Sequence, residues 1–221
     1  MTAGESTSCY LIGTESLLIQ CADVLFEQGF EVAGAVSSEP AILRWAQEKG
    51  LRALRPDDGL AQALRQRPFD YLFSIANLAI IPRPILEIPR RGTVNFHDGP
   101  LPRYAGLHAT TWALLGREST HGVTWHLVEG GVDEGDILEQ EIFALEPGET
   151  ALTLNAKCYE AGIRTFRELA RKIRSGGLQP RKQDFAQRTY FPAAKRPAAA
   201  CGIAWQEPAE AIDAAVRAMD F

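Results

Sequence analysis

The sequence predicts an α/β, Rossmann-like fold: a mostly parallel twisted sheet flanked by helices, with a short C-terminal appendage. Three observations carry this expectation. Residues 9–13 form an apolar run ending in Gly13, residues 16–28 repeat apolar residues at helical spacing up to Gly29, and residues 30–36 form a second apolar run. A strand–helix–strand opening of this kind builds a parallel sheet through a right-handed crossover. Apolar runs recur at 69–75, 92–96 and 122–128, separated by helix-like or proline-rich stretches. The chain has 221 residues, 46% hydrophobic and 23% charged, which suits one large domain, or one domain plus an appendage, with a substantial core.

Taken in order, residues 9–13 (Cys-Tyr-Leu-Ile-Gly) read as a buried strand. The helix over 16–28 buries Leu17, Leu18, Cys21, Ala22, Val24 and Leu25, and Gly29 stops it. Residues 40–49 read as a helix stopped by Gly50, 51–54 as a short strand, and 57–66 as a helix capped by Asp57 or Asp58. After the strand at 69–75, Pro82, Pro84 and Pro89 keep the connection irregular or only briefly helical. The strand at 92–96 leads to Asn95-Phe96-His97-Asp98-Gly99-Pro100-Leu101-Pro102. A helix at 108–115, strands at 122–128 and 137–143, and a long helix at 150–173 capped by Thr150 follow, with an acidic, glycine-rich loop at 129–136. From Leu178 the chain is Ala/Pro-rich and reads as weakly structured until a short helix at 208–219.

Several function classes fall away. A net charge of −5 leaves no electrostatic footprint for nucleic acid. Cys9, Cys21, Cys158 and Cys201 are scattered, with no C-x-x-C pair, so reduced, buried thiols are expected rather than zinc or a disulfide framework. No run approaches the ~20 apolar residues that span a bilayer and no signal-peptide pattern is present, so the expectation is a cytoplasmic protein with no membrane partner. The first turn holds Gly13 alone, not G-x-G-x-x-G, so a dinucleotide site is not indicated. His97, His108, His121 and His126 lack ligand spacing, so no metal is expected, and His126 reads as a packed strand histidine with a second-layer or substrate contact as the alternative.

The polar chemistry concentrates at one strand end. Asn95 and His97 lie two apart, so both side chains can share a face. An amide donor beside an imidazole can hold a carbonyl oxygen as it becomes an oxyanion, and histidine moves protons near neutrality. A carboxylate from elsewhere would orient the ring or relay the proton. Asp133 in the glycine-rich loop is the best-placed candidate, with Asp98, the neighbour of His97, as a rival. As a bare pattern the stretch also reads as a strand-end turn with polar decoration.

The combined pattern is more specific. Ile81-Pro82, Ile88-Pro89, Gly92, Asn95-Phe96-His97 and Pro100-Leu101-Pro102-Arg103-Tyr104-Ala105-Gly106, followed by Gly122-Val123-Thr124 and Asp133-Glu134-Gly135, resemble the motifs of the folate-dependent formyltransferases. That family includes methionyl-tRNA, glycinamide ribonucleotide and sugar formyltransferases. The likeness runs through the helix ending near Ile173 and implies a catalytic domain over residues 1–177 with an appendage or cap at 178–221. It implies transfer of a formyl group from 10-formyltetrahydrofolate to an amine, without a metal. Asn95 and His97 would stabilise the oxyanion and Asp133 would hold His97 and help move the proton. The pterin would dock on Leu78, Ala79, Ile80 and Ile81 and on Val128, Glu129 and Gly130. Two departures stand out: Ala76-Asn77-Leu78 replaces the family's Ala-Tyr-Gly, and Asp98-Gly99 follows the histidine.

The tRNA-specific members carry a C-terminal barrel that residues 178–221 are too few to build, and the acidic balance disfavours tRNA, so tRNA is not an expected partner. The motif wording most resembles the formylation domains of nonribosomal peptide synthetases. That likeness implies an aminoacyl thioester on a carrier protein as acceptor, an adjacent adenylation domain, and further domains after residue 221. The basic residues Arg181, Lys182, Arg188, Lys195 and Arg196 read either as a solvated segment or as a docking surface for such a carrier. The alternatives are a sugar-nucleotide or other small-amine N-formyltransferase, a formyltetrahydrofolate hydrolase, and a non-catalytic folate-binding domain.

Overall fold

A computed structural model describes residues 6–197 and 202–221. Seven strands form the main sheet in the order β3-β2-β1-β4-β5-β7-β8. These are β1 (Ser8–Ile12), β2 (Glu31–Val36), β3 (Arg52–Leu54), β4 (Tyr71–Ser74), β5 (Gly92–His97), β7 (Thr120–Leu127) and β8 (Ile137–Ala144). The pairings from β3 through β5 are parallel; β7 runs antiparallel to both β5 and β8.

Side-chain alternation divides the core between the two faces of this sheet. On β1, Cys9 and Leu11 join one cluster, while Tyr10 and Ile12 join the other. The first cluster is closed by α1 (Leu17–Glu27) and α6 (Ala151–Ser175), through residues such as Leu25, Cys158, Phe166 and Leu169. The second is closed by α3 (Leu60–Arg65) and α4 (Arg83–Leu86), through Leu60, Leu64 and Ile85. The remaining helices are α2 (Pro40–Glu48), α5 (Ala109–Leu115) and α7 (Ala209–Ala218).

Thr150 caps α6 as expected, in a reciprocal box with Thr153. Asp57 does not cap α3: its Oδ1 accepts Gly59 N–H at 3.0 Å in a local turn, and the helix starts later, at Leu60. Gly13 serves packing rather than phosphate binding, because a Cβ there would lie 1.9 Å from the carbonyl oxygen of Ile75. Cys9, Cys21 and Cys158 are free and buried, and desolvation pushes all three thiols up; Cys201 lies outside the described residues.

The expectation of weak structure after Leu178 is overturned. Arg181 forms an antiparallel bridge with Ile137, and β9 (Tyr190–Phe191) pairs in parallel with β6 (Ala105–Gly106). Local composition hides this order because every one of these bonds is long-range. The basic residues also have internal partners: Lys182 pairs with Asp136 at 3.0 Å, Arg188 Nη2 donates to the carbonyl of Val132 at 2.9 Å, and Lys195 sits 4.7 Å from the centre of the Phe191 ring. Among the described residues, no helix is long and apolar enough to cross a membrane.

Candidate active site

The site is built by period-two alternation on two neighbouring strands. On β5, Val94 and Phe96 turn to the α6 side, where Phe96 packs on Trp125 with ring centres 5.0 Å apart. Asn95 and His97 therefore share the opposite face. Antiparallel pairing places His126 opposite Asn95 and Thr124 opposite His97. Thr124 Oγ1 accepts Leu101 N–H at 3.1 Å and donates to the Gly99 carbonyl at 2.8 Å, so β7 holds the Pro-rich loop that follows His97.

Asp133 reaches this face from the glycine-rich loop, with its backbone in the left-handed region at φ 54°. Its Oδ2 lies 3.6 Å from His97 Nδ1 and accepts Gly106 N–H at 2.8 Å; its Oδ1 lies 3.4 Å from His126 Nε2. The Asp133 side chain is only 10% exposed. Asp98 is farther away, at 3.9 Å from the same His97 nitrogen, and its side chain is 35% exposed. Burial pushes the Asp133 carboxyl up. The charge of His97, the hydrogen bond and charge of His126, and the Gly106 amide outweigh burial and hold the carboxyl well below the usual range.

Hydrogen bonding assigns the ring protons. His97 Nε2 is 2.8 Å from the Tyr104 carbonyl and must carry a hydrogen there, which leaves Nδ1 facing Asp133. His126 Nδ1 likewise donates to the Leu127 carbonyl at 2.8 Å. Its Nε2 accepts from Asn95 Nδ2 at 3.2 Å while the ring is neutral and donates to Asp133 Oδ1, 3.4 Å away, when the ring carries both protons; the second N–H of the Asn95 amide remains for another partner. The arrangement offers two donors for a developing oxyanion and a carboxylate beside a proton-carrying ring.

Asn95, His97 and Asp133 are brought together. The residues expected to hold the pterin form two loops. Leu78 and Ile80 are 75% and 77% exposed, with Ala79 and Ile81 beside them in the segment that follows β4, the strand next to β5. Val128 donates its N–H to the Thr93 carbonyl at 2.9 Å, and Glu129 and Gly130 are exposed. His126, read as a packed strand residue, sits inside the site. The alternation Thr124, Trp125, His126 placed it on the face of Asn95, but only strand register brings the two together. Tyr104 and Gly106 lie in the motif at residues 100–106, but their bonds to His97 and Asp133 were not legible in it, and nothing in the local pattern pointed to Gln183.

A family model described as "Formyl transferase" matches residues 30–169, more than half of the chain and inclusive of both site loops. A methionyl-tRNA formyltransferase of Caldanaerobacter subterraneus subsp. tengcongensis is 28% identical over 225 residues, covering 94% of this chain and 72% of that protein. One of Synechococcus sp. is 33% identical over 165 residues, covering 75% of this chain but only 51% of that protein. Among solved structures, the sugar 3N-formyl transferase WlaRD, crystallised with dTDP and 5-N-formyl-THF, superposes with a TM-score of 0.83. It is 20% identical and is covered over 81% of its chain, against 99% of this one, which is a likeness of fold.

These relatives overturn one expectation. The exclusion of tRNA, and with it the carrier-protein and adenylation-domain partners, does not stand against relatives that are methionyl-tRNA formyltransferases. The physical reason is that net charge is a poor guide to a local surface: fields are screened within about 10 Å at ordinary salt, so an acidic total excludes no binding face. The motifs, the strand-end site and the matched segment agree, and the chain belongs to the formyl transferase family, the folate-dependent N-formyltransferases.

Proposed function

We propose that this chain transfers a formyl group from 10-formyltetrahydrofolate to an amine, and that Asn95, His97 and Asp133 carry the chemistry. The observation that supports it is the placement of the buried Asp133 carboxylate 3.6 Å from His97 and 3.4 Å from His126, on the face that presents Asn95. The donor suits the residues present. An exposed apolar loop at Leu78 and Ile80 leaves the strand beside β5 and can cover a flat heterocycle, and the strand-end amides can pair with its polar edge.

The amine attacks the formyl carbon, and negative charge builds on the formyl oxygen. Asn95 donates its free amide N–H to that oxygen, and His97 donates from Nδ1 when the ring carries both protons. Such preorganised donors act where water is excluded, and losing one costs about 10²–10³ in kcat. Tyr104 keeps the ring oriented by accepting Nε2–H. Asp133, ionised across the neutral range, faces His97 Nδ1 and is its counter-charge when that ring carries both protons. It also accepts the proton released by the attacking nitrogen, directly or through water. That proton is returned to the folate nitrogen as its bond to the formyl carbon breaks, so one N–H is lost by the acceptor and one gained by the leaving folate.

The test is direct. The purified chain is incubated with 10-formyltetrahydrofolate and, separately, with a primary-amine panel that includes methionyl-tRNA and a nucleotide-linked amino sugar, and with no acceptor. Formylated amine and tetrahydrofolate in equal amounts support the proposal. Formate released without an acceptor assigns a hydrolase, and folate binding without turnover assigns a binding domain.

A further inference from the structure

Residues 181–191 lie across both halves of the site. Thr189 Oγ1 accepts Tyr104 N–H at 2.7 Å, and the Thr189 carbonyl accepts Ala105 N–H at 3.0 Å. That second bond grips the same peptide whose carbonyl takes the His97 Nε2 hydrogen. Leu107 N–H continues the ladder to the Phe191 carbonyl at 2.9 Å. The approach is close: at Gly106, with φ 96°, a Cβ would fall 2.1 Å from the Phe191 oxygen. Any side chain at Gly106 would push the strap away and displace the amide that binds Asp133.

The same strap holds the other half through one side chain. Gln183 is 8% exposed, and its Nε2 donates to the carbonyls of both Asp133 (2.9 Å) and Gly135 (2.7 Å). Arg188 adds a bond to the Val132 carbonyl at 2.9 Å. Asp133 is a non-glycine residue in the left-handed region, a conformation that persists only where its surroundings over-determine it. The two hydrogens of the Gln183 amide tie the Asp133 carbonyl to the Gly135 carbonyl, and within the loop the Glu134 carboxylate adds one bond, from Gly131 N–H at 2.9 Å.

We infer that Gln183 is a positioning residue for formyl transfer: it holds the Asp133 backbone in the turn that aims its carboxylate at His97. The inference rests on the activity proposed above. Gln183 does not reach the reacting atoms; it acts through Asp133.

The full chain is assayed with 10-formyltetrahydrofolate and an amine that the wild type accepts. Gln183→Leu, which keeps the volume and removes both donors, lowers kcat about 10- to 100-fold, the scale of a misplaced reacting group. The KM for the folate stays within about twofold, because Gln183 bonds Asp133 and Gly135 and none of the residues expected to bind the folate. Gln183→Glu keeps the shape and polarity of the site and, ionised, cannot donate, so it shows a similar loss even if the leucine variant folds poorly. The discriminating readout is the pair of Gln183→Leu and Asp133→Asn. If Gln183 works through Asp133, the double variant is no slower than Asp133→Asn alone. Wild-type kcat in Gln183→Glu, or losses that multiply in the double variant, overturn the inference while leaving the activity intact. A wild-type chain without turnover on any amine removes the activity and the inference together.

Discussion

His126 faces Asn95 across the β5–β7 pair, with its Nε2 3.2 Å from Asn95 Nδ2 and 3.4 Å from Asp133 Oδ1. One ring therefore touches both the amide and the carboxylate. His126 also anchors its own orientation by donating Nδ1–H to the Leu127 carbonyl.

His126→Phe keeps an aromatic ring on the strand and removes both contacts. We expect kcat to fall about 10-fold or more, since the Asn95 amide is freed to rotate away from the oxyanion position. Steady-state rates that match the wild type would show that Asn95 orients itself without His126.

His97→Ala removes the ring that faces both Asp133 and the reacting group. A loss of about 10²–10⁴ in kcat is expected, the range for a positioned proton-transfer group. A variant with full turnover would sink the assigned chemistry.

Asp133→Asn retains an acceptor for Gly106 N–H and discards the charge. Turnover falls by a similar factor while folate binding, measured by fluorescence titration, persists. If the paired variant Asp98→Asn shows the loss instead, the more exposed carboxylate at 3.9 Å is the partner of His97.

The depressed Asp133 carboxyl also predicts a pH dependence of stability. Its folded value lies below the unfolded value of about 3.9, so the ionised group stabilises the fold fully above about pH 4. That contribution is lost as the pH falls below this and through the folded value. Urea midpoints of the wild type and Asp133→Asn should differ by a constant amount from pH 5 to 7. Below about pH 4 the wild type should lose its relative advantage. A difference that does not change with pH would contradict the shift.

Phe166 supplies the stability contrast. It is fully buried, edge-on to Phe73 and 4.6 Å from the Trp125 ring, on the α6 side of the sheet. Phe166→Ala should cost about 3–5 kcal/mol of unfolding free energy in denaturant titration. Activity per folded molecule should be retained, since the site lies on the opposite face.

Much of the architecture was legible because burial imposes a period. The alternation of Cys9, Tyr10, Leu11 and Ile12 marks a strand buried on both faces, and the apolar positions from Leu154 to Leu169 mark one stripe of a helix. The start of α3 was misread because an aspartate can bond its own turn as readily as a helix terminus. The strap was missed for a different reason: Thr189 and Gln183 make bonds to residues about 50 to 85 positions earlier, and no local window contains both partners.

The sequence by itself determined the sheet's opening topology, the strand that ends in Asn95 and His97, and, through its motifs, the family chemistry. These are short-range properties: period, turn composition and residue type at fixed spacing. Tertiary structure alone decided the distances at which Asp133 and Asp98 stand from His97, which way each ring is hydrogen-bonded, and that His126 belongs to the site. It also decided that residues 181–191 brace the loops around it. The physical reason is that hydrogen-bond direction, strand register and the left-handed turn at Asp133 are set by partners distant in the chain, and those partners are adjacent only in the folded state.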